Sequence, residues 1–310
     1  MRLDGILFFP LTPFDGGGSV AEDVLAGHVA DGVAHGAGAV FAACGTGEFH
    51  ALDGAEHRRV VGTAVAAAAG RVPVFAGAGG PLPHAVACAR AAAEAGADGV
   101  LLMPPYLVAA PEAGLVAYVR EVAAATGLPL VVYQRDNARF TPAGAAELAR
   151  IPTVTGFKDG LGDIELMQRI VPAVRAALGE QRAPAKDFTF FNGLPTAEVS
   201  VAAYAAVGAR LYSSAAFCFV PEVALAFNRA LADGDDALVR RLLTAFYIPL
   251  VQLRNEVPGY AVSLVKAGVR LRGRDVGGVR PPLQDPHPKH LAELEQLVSA
   301  GLETAGAAAR

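Results

Sequence analysis

Short apolar runs alternate with alanine-rich stretches along most of the chain, and this alternation constrains the fold more than any other feature. Each run is almost continuously apolar, which is typical of a parallel strand covered on both faces. We predict eight strands, at residues 5–10, 39–43, 72–76, 99–103, 128–133, 154–158, 188–191 and 209–213. The stretches between them are rich in Ala, Leu and Glu and are predicted to be helices, for example at residues 21–34, 55–69 and 83–95.

Eight strand-then-helix units in succession favour an α/β fold of the (β/α)8 TIM-barrel type. An open, doubly wound sheet is the alternative, but no predicted strand leads into a G-x-G-x-x-G turn that opens a helix. The strand pattern stops after residue 230, and residues 235–255, 260–270 and 289–305 are predicted helices. We therefore predict a barrel over residues 1–230 and a C-terminal helical segment, residues 231–310, packed against it.

Composition argues against several kinds of partner and location. A net charge of −4 gives no electrostatic reason to expect nucleic acid. No apolar run reaches the roughly 20 residues that span a bilayer, and the N-terminus lacks the layout of a signal peptide, so we expect no membrane association. The three cysteines, Cys44, Cys88 and Cys218, lie far apart. They fit free thiols in a reducing cytoplasm better than a disulfide framework or a zinc site.

An unusual lysine stands at the end of the sixth predicted strand. The chain has only four lysines against 22 arginines, and one of them, Lys158, closes the run Val154-Thr-Gly-Phe-Lys158. A lysine at the C-terminal end of a buried strand indicates an amine that loses its proton and attacks a carbonyl. The alternative is a structural lysine whose stem packs along the strand while its charge reaches water. Because the C-terminal strand ends of a (β/α)8 barrel hold the active site, the position favours the catalytic interpretation.

Two other strand ends carry groups that would suit a keto acid. The second strand leads into Gly45-Thr46-Gly47, where the glycines allow close backbone approach and N–H groups can point at a carboxylate. The fifth strand ends in Tyr133, which is either an amphipathic cap or a general acid–base beside the amine. Arg135 follows, as a bidentate clamp for a carboxylate or as the structural partner of Asp136. Both interpretations of each side chain stay open on this pattern.

The last two strands end in groups that suit a polyhydroxylated acid. Asn192, Gly193 and Thr196 follow the seventh strand, and Ser213 closes the eighth. Each of these residues alone is more often structural than functional. The combination of a lysine, a tyrosine and a Gly-Thr-Gly loop at the strand ends of one barrel predicts an active site.

The motifs resemble those of the dihydrodipicolinate synthase/N-acetylneuraminate lyase superfamily of Schiff-base aldolases and dehydratases. The resemblance covers most of the chain and rests on Pro10-Leu-Thr-Pro-Phe-Asp15, Gly45-Thr-Gly-Glu48, Met103-Pro-Pro-Tyr106, Tyr133, Gly156-Phe-Lys-Asp159, Asn192-Gly193 and Val265-Lys-Ala-Gly268. The long run from Gly156 to Met167 is similar to that of the dehydratases that act on 5-dehydro-4-deoxy-D-glucarate. Two positions differ from the synthases: Gly45 replaces a proton-relaying threonine, and Leu107 replaces a tyrosine that reaches into a neighbouring subunit.

This resemblance implies that Lys158 forms a Schiff base with the keto carbon of 5-dehydro-4-deoxy-D-glucarate while Tyr133 assists proton transfer. Loss of water and carbon dioxide would then give 2,5-dioxopentanoate. The iminium is the electron sink, so the resemblance implies neither a metal nor an organic cofactor. The carboxylate beside the ketone is expected at residues 45–47. The distal groups of the substrate are expected at Arg135, Asn192, Gly193, Thr196 and Ser213.

Two alternatives remain at the level of the sequence. A Schiff-base aldolase would use the same lysine and tyrosine to cleave a 2-keto-3-deoxy sugar acid to pyruvate and an aldehyde. A keto-acid-binding barrel would keep the lysine without turnover. By the same resemblance we expect a homotetramer or a homodimer.

Overall fold

Eight parallel strands close into a barrel in the computed structural model, which describes residues 3–179 and 188–306. The strands are β1 (Ile6–Phe8), β2 (Ala37–Ala42), β3 (Val74–Ala78), β4 (Gly99–Leu102), β5 (Leu130–Gln134), β6 (Val154–Asp159), β7 (Thr189–Asn192) and β8 (Leu211–Ser214). Each strand pairs with the next one in the chain, and β8 pairs with β1. The eight predicted strands and the TIM-barrel topology are confirmed.

Helices follow the strands in turn and cover the outside of the barrel. They are α1 (Glu22–Ala34), α2 (Gly54–Ala68), α3 (Leu82–Glu94), α4 (Glu112–Ala125), α5 (Pro142–Ala149), α6 (Ile164–Gly179), α7 (Val201–Ala206) and α8 (Pro221–Asp233). The start of α2 is fixed by a capping box, in which the Asp53 side chain accepts the Glu56 N–H and the Glu56 side chain accepts the Asp53 N–H. No helix in the described parts of the chain is both long and apolar enough to cross a bilayer.

Four further helices form the predicted C-terminal segment: α9 (Asp236–Leu242), α10 (Ile248–Glu256), α11 (Tyr260–Leu271) and α12 (Pro288–Thr304). The stretch predicted as one helix over residues 235–255 is divided by a π-helical turn, Leu243–Tyr247. Pro249, which follows that turn, has no N–H to donate to the preceding turn, and this accounts for the local widening. The division of the chain at residue 230 stays a prediction, and α8 runs through that position.

The register of three strands decides which side chains face the barrel interior. Tyr133 on β5 is level with Lys158 on β6, which is level with Phe191 on β7. The next residue of each strand, Gln134, Asp159 and Asn192, forms a second level row. Because side chains alternate across a strand, the two rows point to opposite faces of the barrel wall. The first row faces the interior, and the second faces the surrounding helices.

Candidate active site

A cavity of about 430 Å³ opens at the C-terminal ends of the strands, where active sites of (β/α)8 barrels lie. Its wall includes seven of the ten residues predicted from the sequence, namely Lys158, Tyr133, Gly45, Thr46, Arg135, Gly193 and Ser213. Five different strands or their following loops supply these residues, so only the closed barrel brings them together. The structure thus places the predicted amine, phenol and Gly-Thr-Gly loop around one space.

The Lys158 amine lies in a largely apolar environment at the bottom of this cavity. Nζ is 4.0 Å from the centre of the Phe9 ring and 4.5 Å from the centre of the Tyr133 ring, and the side chain is buried. Burial lowers the pKa of Lys158 from 10.5 to about 7, and the nearby Arg135 charge also lowers it. Burial raises the pKa of the adjacent Cys44 to about 12, which makes it a neutral thiol. An amine with this pKa is substantially unprotonated near neutral pH and can act as a nucleophile.

Two glycines that follow strands β6 and β7 pack closely against Tyr133 and Lys158. A Cβ atom at Gly193 would lie 2.7 Å from Cε and Cγ of Lys158 and 2.7 Å from the carbonyl oxygen of Asp159. A Cβ atom at Gly160 would lie 2.8 Å from the Tyr133 hydroxyl oxygen. Both distances are far below van der Waals contact, so these two glycines leave the space in which Lys158 and Tyr133 take their positions.

Tyr133 is oriented by a backbone acceptor within the site. Its hydroxyl donates to the carbonyl oxygen of Gly193 over 2.7 Å. Burial raises the pKa of this phenol, and the neighbouring Arg135 guanidinium offsets part of the rise. The group therefore holds its proton at neutral pH and presents an oxygen beside the Lys158 amine.

The Gly45–Gly47 loop borders the cavity and is fixed by a contact on its buried side. Gly45 and Thr46 line the cavity, while Gly47 is buried behind them and its carbonyl oxygen accepts the Thr12 hydroxyl over 2.7 Å. A Cβ atom at Gly47 would lie 3.2 Å from the carbonyl oxygen of Pro10, so the position is tight for any larger residue. The loop thus offers backbone groups and one hydroxyl to a ligand.

Arg135 reaches the cavity and also pairs with its sequence neighbour. Its Nε atom lies 3.1 Å from Oδ2 of Asp136, and both side chains are well exposed. An exposed pair of this kind contributes little to stability, and a bound carboxylate could compete for the guanidinium. Ser213, at the end of β8, faces the same cavity.

Asn192 and Thr196 do not line the cavity, although the sequence suggested that they contact substrate. The Asn192 amide donates to the carbonyl oxygen of Ala197 over 3.0 Å and to the Ser200 hydroxyl over 2.9 Å. The Thr196 hydroxyl accepts from Arg254 over 2.7 Å. Through these contacts both residues support the loop that carries Gly193, and neither side chain bonds to the Lys158 amine.

Twelve residues of the cavity wall were not predicted from the sequence as catalytic or substrate-binding residues. They are Phe9, His50, Leu101, Tyr106, Asp136, Leu194, Pro195, Ala215, Gly259, Ala261, Val262 and Leu283. Phe9 directly follows β1 and could have been found as a strand-end residue. Gly259, Ala261, Val262 and Leu283 come from the C-terminal segment, and no local pattern in the sequence links them to the barrel mouth.

Comparison with known proteins places the chain in a family. The model of the dihydrodipicolinate synthetase family matches residues 2–301. A Streptomyces coelicolor protein named "Probable 5-dehydro-4-deoxyglucarate dehydratase 1" is 59% identical over 297 residues, which are 96% of this chain and 92% of the relative.

Solved structures agree with this placement. Dihydrodipicolinate synthase from Oceanobacillus iheyensis superposes with a TM-score of 0.85 at 25% identity, over 96% of each chain. A prophage protein of the same family from E. coli K12, solved in complex with pyruvate, superposes with a TM-score of 0.83 at 25% identity, over 99% of this chain and 100% of the other. The chain is a member of the dihydrodipicolinate synthetase family.

Proposed function

We propose that this protein is a Schiff-base-forming lyase that converts 5-dehydro-4-deoxy-D-glucarate to 2,5-dioxopentanoate, carbon dioxide and water. The observation that carries the proposal is the buried amine of Lys158, whose pKa is lowered to about 7 and which lies beside the Tyr133 phenol. The choice of substrate is supported by the printed name of the Streptomyces coelicolor relative and by the extent of its identity to this chain.

The first half of the reaction makes the substrate into an electron sink. The neutral Lys158 amine attacks the keto carbon, C5, and the resulting carbinolamine loses its oxygen as water to give a protonated imine. Tyr133 donates and recovers protons during this step through the hydroxyl that contacts the Gly193 carbonyl. The iminium makes the protons on C4 acidic, and removal of one of them gives an enamine.

The second half uses the electrons of that enamine. They expel the hydroxyl group on C3 as water, which leaves a C3–C4 double bond conjugated with the iminium. The bond between C1 and C2 then breaks, carbon dioxide leaves, and its electron pair moves through the conjugated system to the nitrogen. The C2 hydroxyl is then part of an enol. Protonation at C4 and C3, with loss of the C2 hydroxyl proton, turns this enol into the aldehyde, and hydrolysis of the imine releases the dioxo acid and free Lys158. The electron sink is thus the substrate imine itself, and the proposal needs no metal or organic cofactor.

The cavity offers complementary contacts to both ends of this substrate. We place the carboxylate beside the ketone on Thr46 and the backbone of the Gly45–Gly47 loop, and the distal hydroxyls and carboxylate near Arg135 and Ser213. The backbone of Gly193 closes the side of the site next to the amine. Asn192 and Thr196 act in this proposal by fixing the Gly193 loop.

We also propose that the protein works as a homo-oligomer, a dimer or a tetramer, in the cytoplasm. The loop after β4 supports an assembly, since Leu107 is fully exposed and Val108 largely so beside an apolar groove. Burial of such a patch against a second copy would remove it from water. The three cysteines are free and buried, which suits a reducing compartment.

Product analysis tests the proposed reaction. The pure protein is incubated with 5-dehydro-4-deoxy-D-glucarate without added metal, and the products are identified by mass spectrometry. We expect carbon dioxide and 2,5-dioxopentanoate, lost in Lys158→Ala and retained in Lys289→Ala, which changes an exposed lysine on α12. Pyruvate and a three-carbon aldehyde would instead make the protein an aldolase. Absence of any turnover by the wild type would overturn the substrate assignment.

A further inference from the structure

A buried ion pair joins the C-terminal segment to the loop that we propose as the carboxylate site. Nζ of Lys266, on α11, lies 2.6 Å from Oε1 of Glu48, and both side chains are completely buried. The same amine donates to the carbonyl oxygen of Gly278 over 2.8 Å. Burial lowers the pKa of Lys266, whereas the Glu48 carboxylate opposes this change. Two charges removed from water in this way are costly unless each has the other as a partner.

Further contacts hold the second oxygen of the same carboxylate and connect Lys266 with Arg280. Oε2 of Glu48 accepts the backbone N–H of Arg280 over 2.9 Å. Both cations contact the ring of Phe14, whose centre is 4.0 Å from Nζ of Lys266 and 4.0 Å from the Arg280 guanidinium. The Arg280 guanidinium in turn donates to both carboxylate oxygens of Glu56 over 2.6 and 2.7 Å.

The backbone at Glu48 needs such support, because it adopts a conformation that residues with a side chain rarely take. Its φ is +54°, and it directly follows Gly47. Ala43, which precedes the loop, also has a positive φ, of +51°. Thr46 therefore lies in a short segment whose two ends are in the left-handed region. Fixing the Glu48 carboxylate fixes the direction in which this segment presents Thr46 to the cavity.

We infer that Lys266 is a positioning residue for recognition of the keto-acid carboxylate, acting through Glu48 on the Gly45–Gly47 loop. This inference rests on the proposed role of that loop and not on which products the enzyme forms. Its consequence is that the C-terminal segment takes part in substrate binding by holding a loop of the barrel, in addition to lining the cavity mouth.

The test compares two ketones, one with a charged group and one with a neutral group next to the carbonyl. Pyruvate carries the carboxylate, and methyl pyruvate carries a neutral ester in its place. Each is incubated with the protein, the imine on Lys158 is reduced with borohydride, and the adduct is measured by mass spectrometry against ketone concentration. In Lys266→Met we expect the half-saturating pyruvate concentration to rise about tenfold, as for the loss of one hydrogen bond to a charged carboxylate. The value for methyl pyruvate should change much less.

The control variant is Lys289→Met, which removes an exposed lysine from the same segment and should leave both ketones unaffected. If Lys266→Met leaves Glu48 uncompensated and does not fold, the double variant Glu48→Gln/Lys266→Met removes both charges and keeps the size of both side chains. It should fold and still show the selective loss for pyruvate.

Three outcomes would separate the explanations. Wild-type affinity for pyruvate in the folded variant would overturn the inference, and so would an equal loss for both ketones, which indicates general destabilisation. Failure of the wild type itself to form an adduct with pyruvate would instead overturn the proposed function.

Discussion

Replacing Lys158 by methionine should abolish the chemistry, because the amine is lost. It should also stabilise the fold, because the buried site disfavours the protonated form of Lys158. The pKa of this amine is about 7 in the folded protein and 10.5 at its ordinary value. The folded state therefore binds fewer protons here than the unfolded state, so the stability of the wild type rises with pH between these values. By the linkage relation, the lowered pKa of Lys158 reduces the free energy of unfolding of the wild type by about 4 kcal/mol at pH 7 and by about 2 kcal/mol at pH 9. The stability advantage of Lys158→Met should thus shrink by about 2 kcal/mol over this range.

Urea unfolding of both proteins across this pH range measures the effect. The quantity of interest is the difference in unfolding free energy between the variant and the wild type at each pH, because pH effects from all other groups cancel in that difference. Lys289→Met, which changes an exposed lysine, serves as the control and should follow the wild type throughout. A difference that stays constant between pH 7 and pH 9 would refute the lowered pKa of Lys158.

Three further substitutions test the geometry of the site. Gly193→Ala should lower kcat by about 100-fold, because the added methyl group displaces the Lys158 side chain, and imine trapping should fall with it. Tyr133→Phe should lower kcat by about 100-fold or more with the fold intact, since the phenol is the proposed proton carrier, and steady-state kinetics with thermal unfolding measure both. Thr46→Val should raise KM about tenfold with a smaller effect on kcat, as expected for a hydrogen bond to a charged carboxylate; an unchanged KM would contradict the loop assignment.

The barrel was predictable because its strands are buried on both faces. That burial makes each run almost continuously apolar, so that eight runs stand out from the alanine-rich helices between them. Lys158 was predictable for the same reason, since a lone lysine at the end of an apolar run needs an explanation. The π-helical turn was not predicted, although Pro249 in the middle of a helical pattern is a local signal for an irregularity.

The placement of Asn192 shows what the register between strands adds to a sequence motif. Asp159 follows Lys158 on β6 and points away from the barrel centre, where its carboxylate accepts the Gln134 amide N–H. Asn192 follows Phe191 in the same way and lies level with Asp159. The register between strands was needed to see this, and register depends on the closed sheet and not on either strand alone.

The contribution of the C-terminal segment could not be predicted for a different reason. Glu48, which follows the Gly45–Gly47 loop, pairs with Lys266 near the other end of the chain. Contacts between residues so far apart in sequence leave no periodic pattern. They follow only from how α11 lies across the mouth of the barrel.

The measurement that tests the central claim most directly is the site of imine formation during turnover. The protein is mixed with 5-dehydro-4-deoxy-D-glucarate, reduced at once with borohydride, digested and mapped by mass spectrometry. We predict a reduced adduct on Lys158 whose mass includes that of the five-carbon dioxo product, and none on Lys266 or Lys289. Turnover without any adduct, or an adduct confined to another lysine, would contradict the Schiff-base mechanism.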